Sequence, residues 1–216
     1  MNTDYARLQM VNQQVRGWNV YDEDVLAMLK NLPREDYVPA GFEALAFADT
    51  AIPLEHGEHM LTPTQEGRLL QALGLRGGER VLEIGTGSGF MTACLATLAE
   101  HVTSVDIHAD FVDAARHKLE DAGIDNVELM HMDATQELPG GKYDAIAVTG
   151  SLQSFDPRFV DALSPQGRLF VIVGESPAME AKLIERTDEH DWQTLSLFET
   201  DIAPLVHGAL PRQFSF

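Results

Sequence analysis

Three glycines fall at every second position within VLEIGTGSGF (81–90): Gly85, Gly87 and Gly89. They follow an apolar run that ends in an acid, Glu83, and they lead into a further apolar stretch. Glycine in such a bend permits unusual backbone angles and the close approach of a ligand. A phosphate-binding P-loop would close with Gly-Lys-Ser/Thr, whereas this bend closes with Gly89-Phe90-Met91. A dinucleotide fingerprint would carry its third glycine at 90, where Phe90 stands. The G-x-G-x-G form suits a nucleoside without a pyrophosphate, and S-adenosylmethionine is the commonest ligand of that kind. Thr86 and Ser88, between the glycines, join the candidate cofactor set.

Two further acids are phased with this bend. Asp106 ends the next apolar run, where a carboxylate can accept both hydroxyls of a ribose. The bland reading of Asp106 is a turn acid at a strand end. Asp133 follows the third run and could meet an adenine amino group, or could open a capping box with Gln136. Ile107 and Ala134, next to these acids, and Thr149, at the end of a fourth run, complete the candidate cofactor residues. Thr149 and Ser151 read equally as acceptor contacts and as ordinary caps of a strand-to-loop junction. Glu83 itself, buried at a strand end, needs a partner, which loop amides or a ligand ammonium would supply.

His56-Gly-Glu-His59 has the residue types of a metal site but not the helical H-E-x-x-H order, and Gly57 interrupts it. Loop polarity or an acceptor-site role accounts for it better, and no metal is expected. His101, His108, His117 and His131 are scattered and read as surface groups or groups outside the contact layer. Cys94 reads as a small buried apolar residue.

The elements that must hold these residues follow from the hydrophobic rhythm. Residues 3–18 read as a helix capped by Thr3, with Leu8, Val11, Val15 and Trp18 near one face. Asp22 caps a second helix that Pro33 stops. From Pro33 to Pro63 the pattern is loop with short pieces of order, and Pro63 opens a helix that ends at Gly74. Strands are predicted at 80–84, 102–106, 127–131, 144–149 and 168–173, with helices at 89–99, 109–122 and 156–163. Such alternation specifies an α/β fold, a mostly parallel sheet with helices on both faces. A carboxy-terminal helix and an antiparallel hairpin are expected within 176–216, the hairpin from the strand-like stretch Trp192–Pro204. The 216 residues read as a single domain: a helical cap and acceptor-site loop at 1–78, a cofactor-binding core at 79–175, and the closing segment. Phe214 and Phe216 form an apolar tail that could pack on the sheet or mediate self-association.

Charge narrows the partners. With 34 Asp and Glu against 15 Lys and Arg, the formal net charge is −19, which repels phosphate backbones and argues against nucleic acid. No run approaches the roughly 20 apolar residues of a membrane span, and the opening MNTDYARLQ is not the pattern of a secretory signal. The lone cysteine allows no internal disulfide, which suits a reducing cytoplasm. Either a monomer or a homodimer fits.

Beyond these residue-level readings, VLEIGTGSGF resembles the cofactor loop of protein-L-isoaspartate O-methyltransferases, which are class I methyltransferases dependent on S-adenosylmethionine. The resemblance extends to MVNQQVRGWNVYDEDVLAMLKNLPREDYVP (10–39), FADTAIPLEHGEHMLTP (47–63), DAIAVTGS (144–151), PQGRLFVIVG (165–174) and DIAPLV (201–206). It implies a Rossmann-like, seven-stranded, three-layered fold and an O-methyltransferase of protein repair. The enzyme would transfer a methyl group to the free carboxylate of an isoaspartyl residue, yielding S-adenosylhomocysteine. The ester then closes to a succinimide that can reopen as normal aspartate. Glu83, Gly85, Gly87, Asp106 and Asp133 would belong to the cofactor site.

One block departs from the family. Its usual G-x-T-I-S-x-P reads here as GEHMLTP, which sets Leu61 on the serine position and His59 on the threonine position. Thr62 falls one residue late, where an extended chain points it the other way. His59, Leu61 and Thr62 are therefore the candidate acceptor-site residues. Methyl transfer is an in-line displacement at a sulfonium carbon, and alignment alone can supply about 7–11 kcal/mol. An ionised carboxylate needs no general base, so a serine there would position the acceptor. Its loss removes a hydrogen bond worth roughly 1–3 kcal/mol. Glu55 and Glu58 add negative charge beside the same site, and His56 and His59 offset it when protonated. The departure leaves two alternatives: the same chemistry on a different acceptor, small molecules included, or a catalytically silent cofactor-binding protein.

Overall fold

The computed structural model describes residues 3–188 and 191–209. Phe214 and Phe216 lie outside the described residues. The amino-terminal segment opens with α1 (Thr3–Gln9), widens into a π-helical turn over Met10–Val15 and tightens into a 3₁₀ turn over Arg16–Trp18. The widened turn shifts the buried stripe to Arg7, Met10, Val11 and Val15, while Leu8 and Trp18 face solvent. The uniform helical face expected from the sequence fails for that reason, since each extra residue per turn rotates the rest of the helix about its axis. Thr3 lies within α1 rather than flanking it as a cap.

Asp22 caps α2 (Glu23–Asn31), its carboxylate accepting from the amides of Asp24 at 3.0 Å and Val25 at 3.2 Å. The following loop contains 3₁₀ turns and a two-stranded antiparallel ribbon, β1 (Ile52–Pro53) with β2 (His59–Met60). Helix α3 (Pro63–Leu73) starts from a capping box between Thr62 and Gln65 and ends at Gly74, which adopts φ 56°. The Val15–Val20 region packs tightly on it, since a Cβ at Gly67 would stand 2.7 Å from Val15 and 3.2 Å from Val20.

The sheet comprises β3 (Arg80–Ile84), β4 (His101–Asp106), β5 (Val127–His131), β6 (Tyr143–Leu152), β7 (Leu163–Glu175), β8 (Ala178–Arg186) and β9 (Trp192–Thr200). Its strand order is β5-β4-β3-β6-β7-β8-β9, parallel from β5 through β7 and antiparallel for the last two pairings. Alternate residues feed two apolar cores. Val81, Ala145 and Phe170 enter one; Leu82, Ile146 and Val171 enter the other. Burial on both faces is why these strands read as continuous apolar runs. Helices α4 (Phe90–Leu98), α5 (Ala109–Asp121) and the short α6 (Arg158–Asp161) connect the parallel strands.

The seven-stranded fold follows the sequence expectation, and four details differ. The closing segment holds no helix among its described residues: Ala178–Arg186 is strand β8, in which Met179, Ala181 and Leu183 alternate toward the core. The hairpin therefore pairs β8 with β9 rather than forming within Trp192–Pro204. Residues 201–206 are not a full strand; Pro204 makes a single parallel bridge to Ser151. Asp133 and Gln136 close a turn, with the Asp133 carbonyl accepting from the Gln136 amide at 3.0 Å, and no helix comes after it.

Candidate functional site

Strand order reverses at β3, with β4 on one side and β6 on the other, so the chain leaves the carboxyl ends of these strands in opposite directions and opens a crevice. A cavity of about 640 Å³ occupies it. Gly85, Gly87, Asp106, Ile107, Asp133, Ala134 and Thr149 line it, as do His59, Leu61 and Thr62. The two candidate groups, far apart in sequence, thus share one space.

The glycine bend requires its residue type. Gly85 has φ 99° and Gly87 φ 50°, both in the left-handed region. A Cβ at Gly85 would also stand 2.3 Å from Thr149 Oγ1. Thr149 donates from that hydroxyl to the carbonyls of Ile84 and Gly85, each at 2.9 Å, and so fastens β6 to the start of the bend. Asp106 secures the bend from the other side. Its carboxylate accepts from the Gly87 amide at 2.8 Å and the His108 amide at 2.9 Å, and the residue is 7 % exposed. A carboxylate held by amides keeps further lone pairs for a ligand.

Asp133 accepts from the Thr135 amide at 2.9 Å and the Thr135 hydroxyl at 2.6 Å, and its other oxygen lies 2.8 Å from His207 Nδ1. Burial raises its pKa, but the Thr135 and His207 hydrogen bonds outweigh this and hold it below the usual carboxylate range. His207 follows a strap over the crevice: Ser151 donates from its amide to Ala203 at 2.9 Å, and its carbonyl accepts from Leu205 at 2.8 Å. Gly150 admits the strap, since a Cβ there would meet Leu205 Cδ2 at 2.6 Å.

Four of the sequence candidates do not line the cavity. Glu83 is fully buried; its Oε2 accepts from the hydroxyls of Thr92 and Ser104 rather than from loop amides, and its Oε1 has no hydrogen-bond partner among the described residues. Its position beneath the bend, facing α4 and β4, explains the difference. Burial pushes its carboxyl up to about 8 against these two hydrogen bonds. Thr86 joins the same network through Ser104 Oγ at 2.7 Å. Ser88 accepts from the Phe90 amide at 3.3 Å, and Gly89, at φ 85°, caps α4 close to Ala115. These four shape the bend from below.

The acceptor segment rests on a pair the sequence reading did not assign. Arg34, fully buried, donates to both oxygens of Glu66 at 3.0 Å, to the Ala46 carbonyl at 2.8 Å and to the Leu61 carbonyl at 2.8 Å. Burial raises the Glu66 pKa against the pull of Arg34. The only sequence signal was an arginine in the apolar-flanked LPRED block, and its partner lies 32 positions away. Thr62 is occupied as the cap of α3, and Gln65 joins its amide at 2.9 Å to Thr200 Oγ1 at 2.9 Å. His59 is exposed at the cavity edge. Glu58 and His108, not singled out as contacts, line the cavity too, and burial raises the Glu58 pKa, with Asp106 adding to it against nearby histidines. The acids Glu58, Asp106, Asp133 and Asp201 line the cavity, and no lysine or arginine does among the described residues.

A Rossmann-like sheet with a glycine bend at its switch point and acids at the next two strand ends is an arrangement that class I methyltransferases share with other nucleoside-binding folds. The chain belongs to the protein-L-isoaspartate(D-aspartate) O-methyltransferase family, whose model matches residues 6–209. It is 36 % identical over 202 residues to the protein-L-isoaspartate O-methyltransferase of Methanoculleus marisnigri, covering 93 % of this chain and 91 % of the relative. To protein-L-isoaspartate O-methyltransferase 2 of Pelobacter propionicus it is 34 % identical, covering 95 % and 92 %. The fold is similar to a Plasmodium falciparum crystal structure assigned as a protein-L-isoaspartate O-methyltransferase in complex with S-adenosyl-L-homocysteine. That match has a TM-score of 0.81 at 21 % identity and covers 92 % of this chain and 97 % of the other. No helix among the described residues is long and apolar enough to cross a membrane.

Proposed function

We propose that the protein transfers the methyl group of S-adenosyl-L-methionine to the free carboxylate of isoaspartyl residues in proteins and peptides. The observation that carries this reading is the meeting of the glycine bend and the acceptor segment on one cavity. Gly85 and Gly87 admit the cofactor's methionine and ribose against the backbone. Asp106 accepts from the ribose hydroxyls, while Ile107, Ala134 and Asp133 form the adenine end. Thr149 holds the bend in shape. Arg34 and Glu66 set the height of the Leu61 carbonyl, so the acceptor enters over the segment His59–Thr62. Alignment of carboxylate and methyl carbon is the main catalytic contribution, because the leaving thioether is neutral and the acceptor is already ionised.

The test is transfer of tritiated methyl from the cofactor to an isoaspartyl peptide, with the aspartyl peptide as control. Base-labile label on the isoaspartyl peptide alone supports the proposal; cofactor binding without such label refutes it.

A second reading has its own observation. The four acids and the absence of a lining lysine or arginine among the described residues favour an acceptor without negative charge. Together with Leu61 in place of the family's serine, this supports the same transfer to a different acceptor, such as a small alcohol or phenol. The peptide assay run beside a panel of such acceptors separates the two. The lone cysteine supports a cytoplasmic setting, and the net charge of −19 supports a partner other than nucleic acid. A monomer or homodimer is distinguished by sedimentation.

A further inference from the structure

Away from the reacting atoms, the turn between β1 and β2 meets the start of α5. His56 and His108 stack there with ring centroids 4.0 Å apart and planes inclined by 4°. Phe111 abuts both rings edge-on, at 5.3 Å from each. His56 Nε2 lies 2.9 and 3.0 Å from the two oxygens of Asp110. One donor atom from each of His56, His108 and Asp110 falls within 4.8 Å of the other two. The His108 Nε2 atom is shielded from solvent and has no hydrogen-bond partner among the described residues.

We propose that His56, His108 and Asp110 form a binding site for a divalent transition metal, with zinc as its principal occupant. Two imidazoles and a carboxylate are the nitrogen and oxygen donor set that zinc accepts, with a fourth position left to water. Zinc holds such donors at about 2.0–2.2 Å and in the plane of each imidazole, so on binding the His56 ring turns out of its parallel stack on His108 as the three donors close on the ion. His56 and Asp110 are exposed, and the movement exchanges their mutual hydrogen bond for the ion. His56 sits on a left-handed residue of φ 59°, which turns its ring away from the ribbon and onto α5. The sequence pairing of His56 with His59 missed this set, because the ligands come from two segments more than 50 positions apart. A bound ion fastens the turn to the helix. The turn also carries Leu54, whose Cδ1 would lie 3.4 Å from a Cβ at Gly87, so the metal restrains one wall of the cofactor crevice without touching the reacting groups.

The experiment is calorimetric titration of the untagged full-length protein with zinc chloride, paired with the visible spectrum of the cobalt(II) form. One saturable equivalent is expected, with a cobalt spectrum of low coordination number. His56→Ala and Asp110→Asn should each weaken zinc at least about tenfold. His117→Ala, whose ring bonds the Asp113 carbonyl elsewhere on α5, should leave it unchanged. Both test residues are exposed, so circular dichroism of the two variants should match the parent. Absence of saturable binding overturns the proposal, and so does unchanged affinity in either folded variant.

Discussion

The hydroxyl of Thr149 occupies the place where a side chain on Gly85 would begin, 2.3 Å from the position of its Cβ. A single methyl group at 85 therefore both collides with β6 and forces a left-handed φ of 99° on an ordinary residue. Strain of that kind costs on the order of 1–3 kcal/mol. Gly85→Ala should weaken S-adenosylmethionine at least about tenfold by calorimetry. Adding Thr149→Ala removes the collision but not the backbone strain, so the double variant should recover only part of the affinity. Full recovery would mean that the backbone angle is unimportant.

Asp106 joins the bend to the turn before α5 through the amides of Gly87 and His108. Asp106→Asn keeps one acceptor oxygen and loses the charge. Hydrogen bonds to charged groups contribute roughly 1.5–3 kcal/mol. The variant should stay folded and bind S-adenosylmethionine at least about tenfold more weakly, with 2′-deoxy cofactor analogues losing less than the parent does. Equal losses for both ligands would remove Asp106 from ribose recognition.

Arg34→Met leaves the Glu66 carboxylate buried with no ion-pair partner, a loss of about 3–5 kcal/mol in urea unfolding. Replacing both, as Arg34→Met with Glu66→Leu, should restore most of that stability. It should not restore the hydrogen bond to the Leu61 carbonyl, so the KM for the acceptor should stay raised in the double variant. A normal KM there would confine the pair to a folding role.

Leu61 lines the cavity and packs partly against the core. If isoaspartyl carboxylates are the acceptor, Leu61→Ser supplies a hydroxyl donor worth roughly 1–3 kcal/mol, and kcat/KM on an isoaspartyl peptide should rise at least about fivefold. A fall in that ratio, with cofactor affinity intact, would favour the apolar acceptor wall of the second reading.

Glu83 gives the protein a pH dependence of a definite sign. Burial raises its folded pKa to about 8, above the ordinary carboxylate value that it has when unfolded. Between these values the folded state holds the extra proton, so its contribution to stability is complete at low pH and is lost as pH rises to about 8. Thermal midpoints across that window should fall less steeply in Glu83→Gln, which carries no proton to lose. Parallel slopes for the two proteins would show that the group titrates normally.

The parallel strands were legible because two-sided burial writes itself as β-branched runs such as RVLEI and RLFVIV, and the glycine bend because its spacing is local. Asp106 and Asp133 were reachable because strand ends phase them. The partners of Glu83 were not legible because sequence gives the burial of a strand end but not which neighbour turns toward it; Thr92 and Ser104 come from α4 and β4. Arg34 with Glu66, and His56 with His108, are pairings of segments brought together only by packing. The helix expected after 176 gave way to β8 because Met179, Ala181 and Leu183 alternate with period two, and β7 offered an edge to pair with.

A single apolar mass runs from Met10 through Leu70 and Phe90 to Ala181. The crevice lies where the leading 78 residues meet the sheet, so neither part can be transplanted alone. A fragment starting at Glu79 would bare Phe90 and Met91 to water and lack Arg34, and protein engineers who want the methyl-donor cradle must carry its roof along with it.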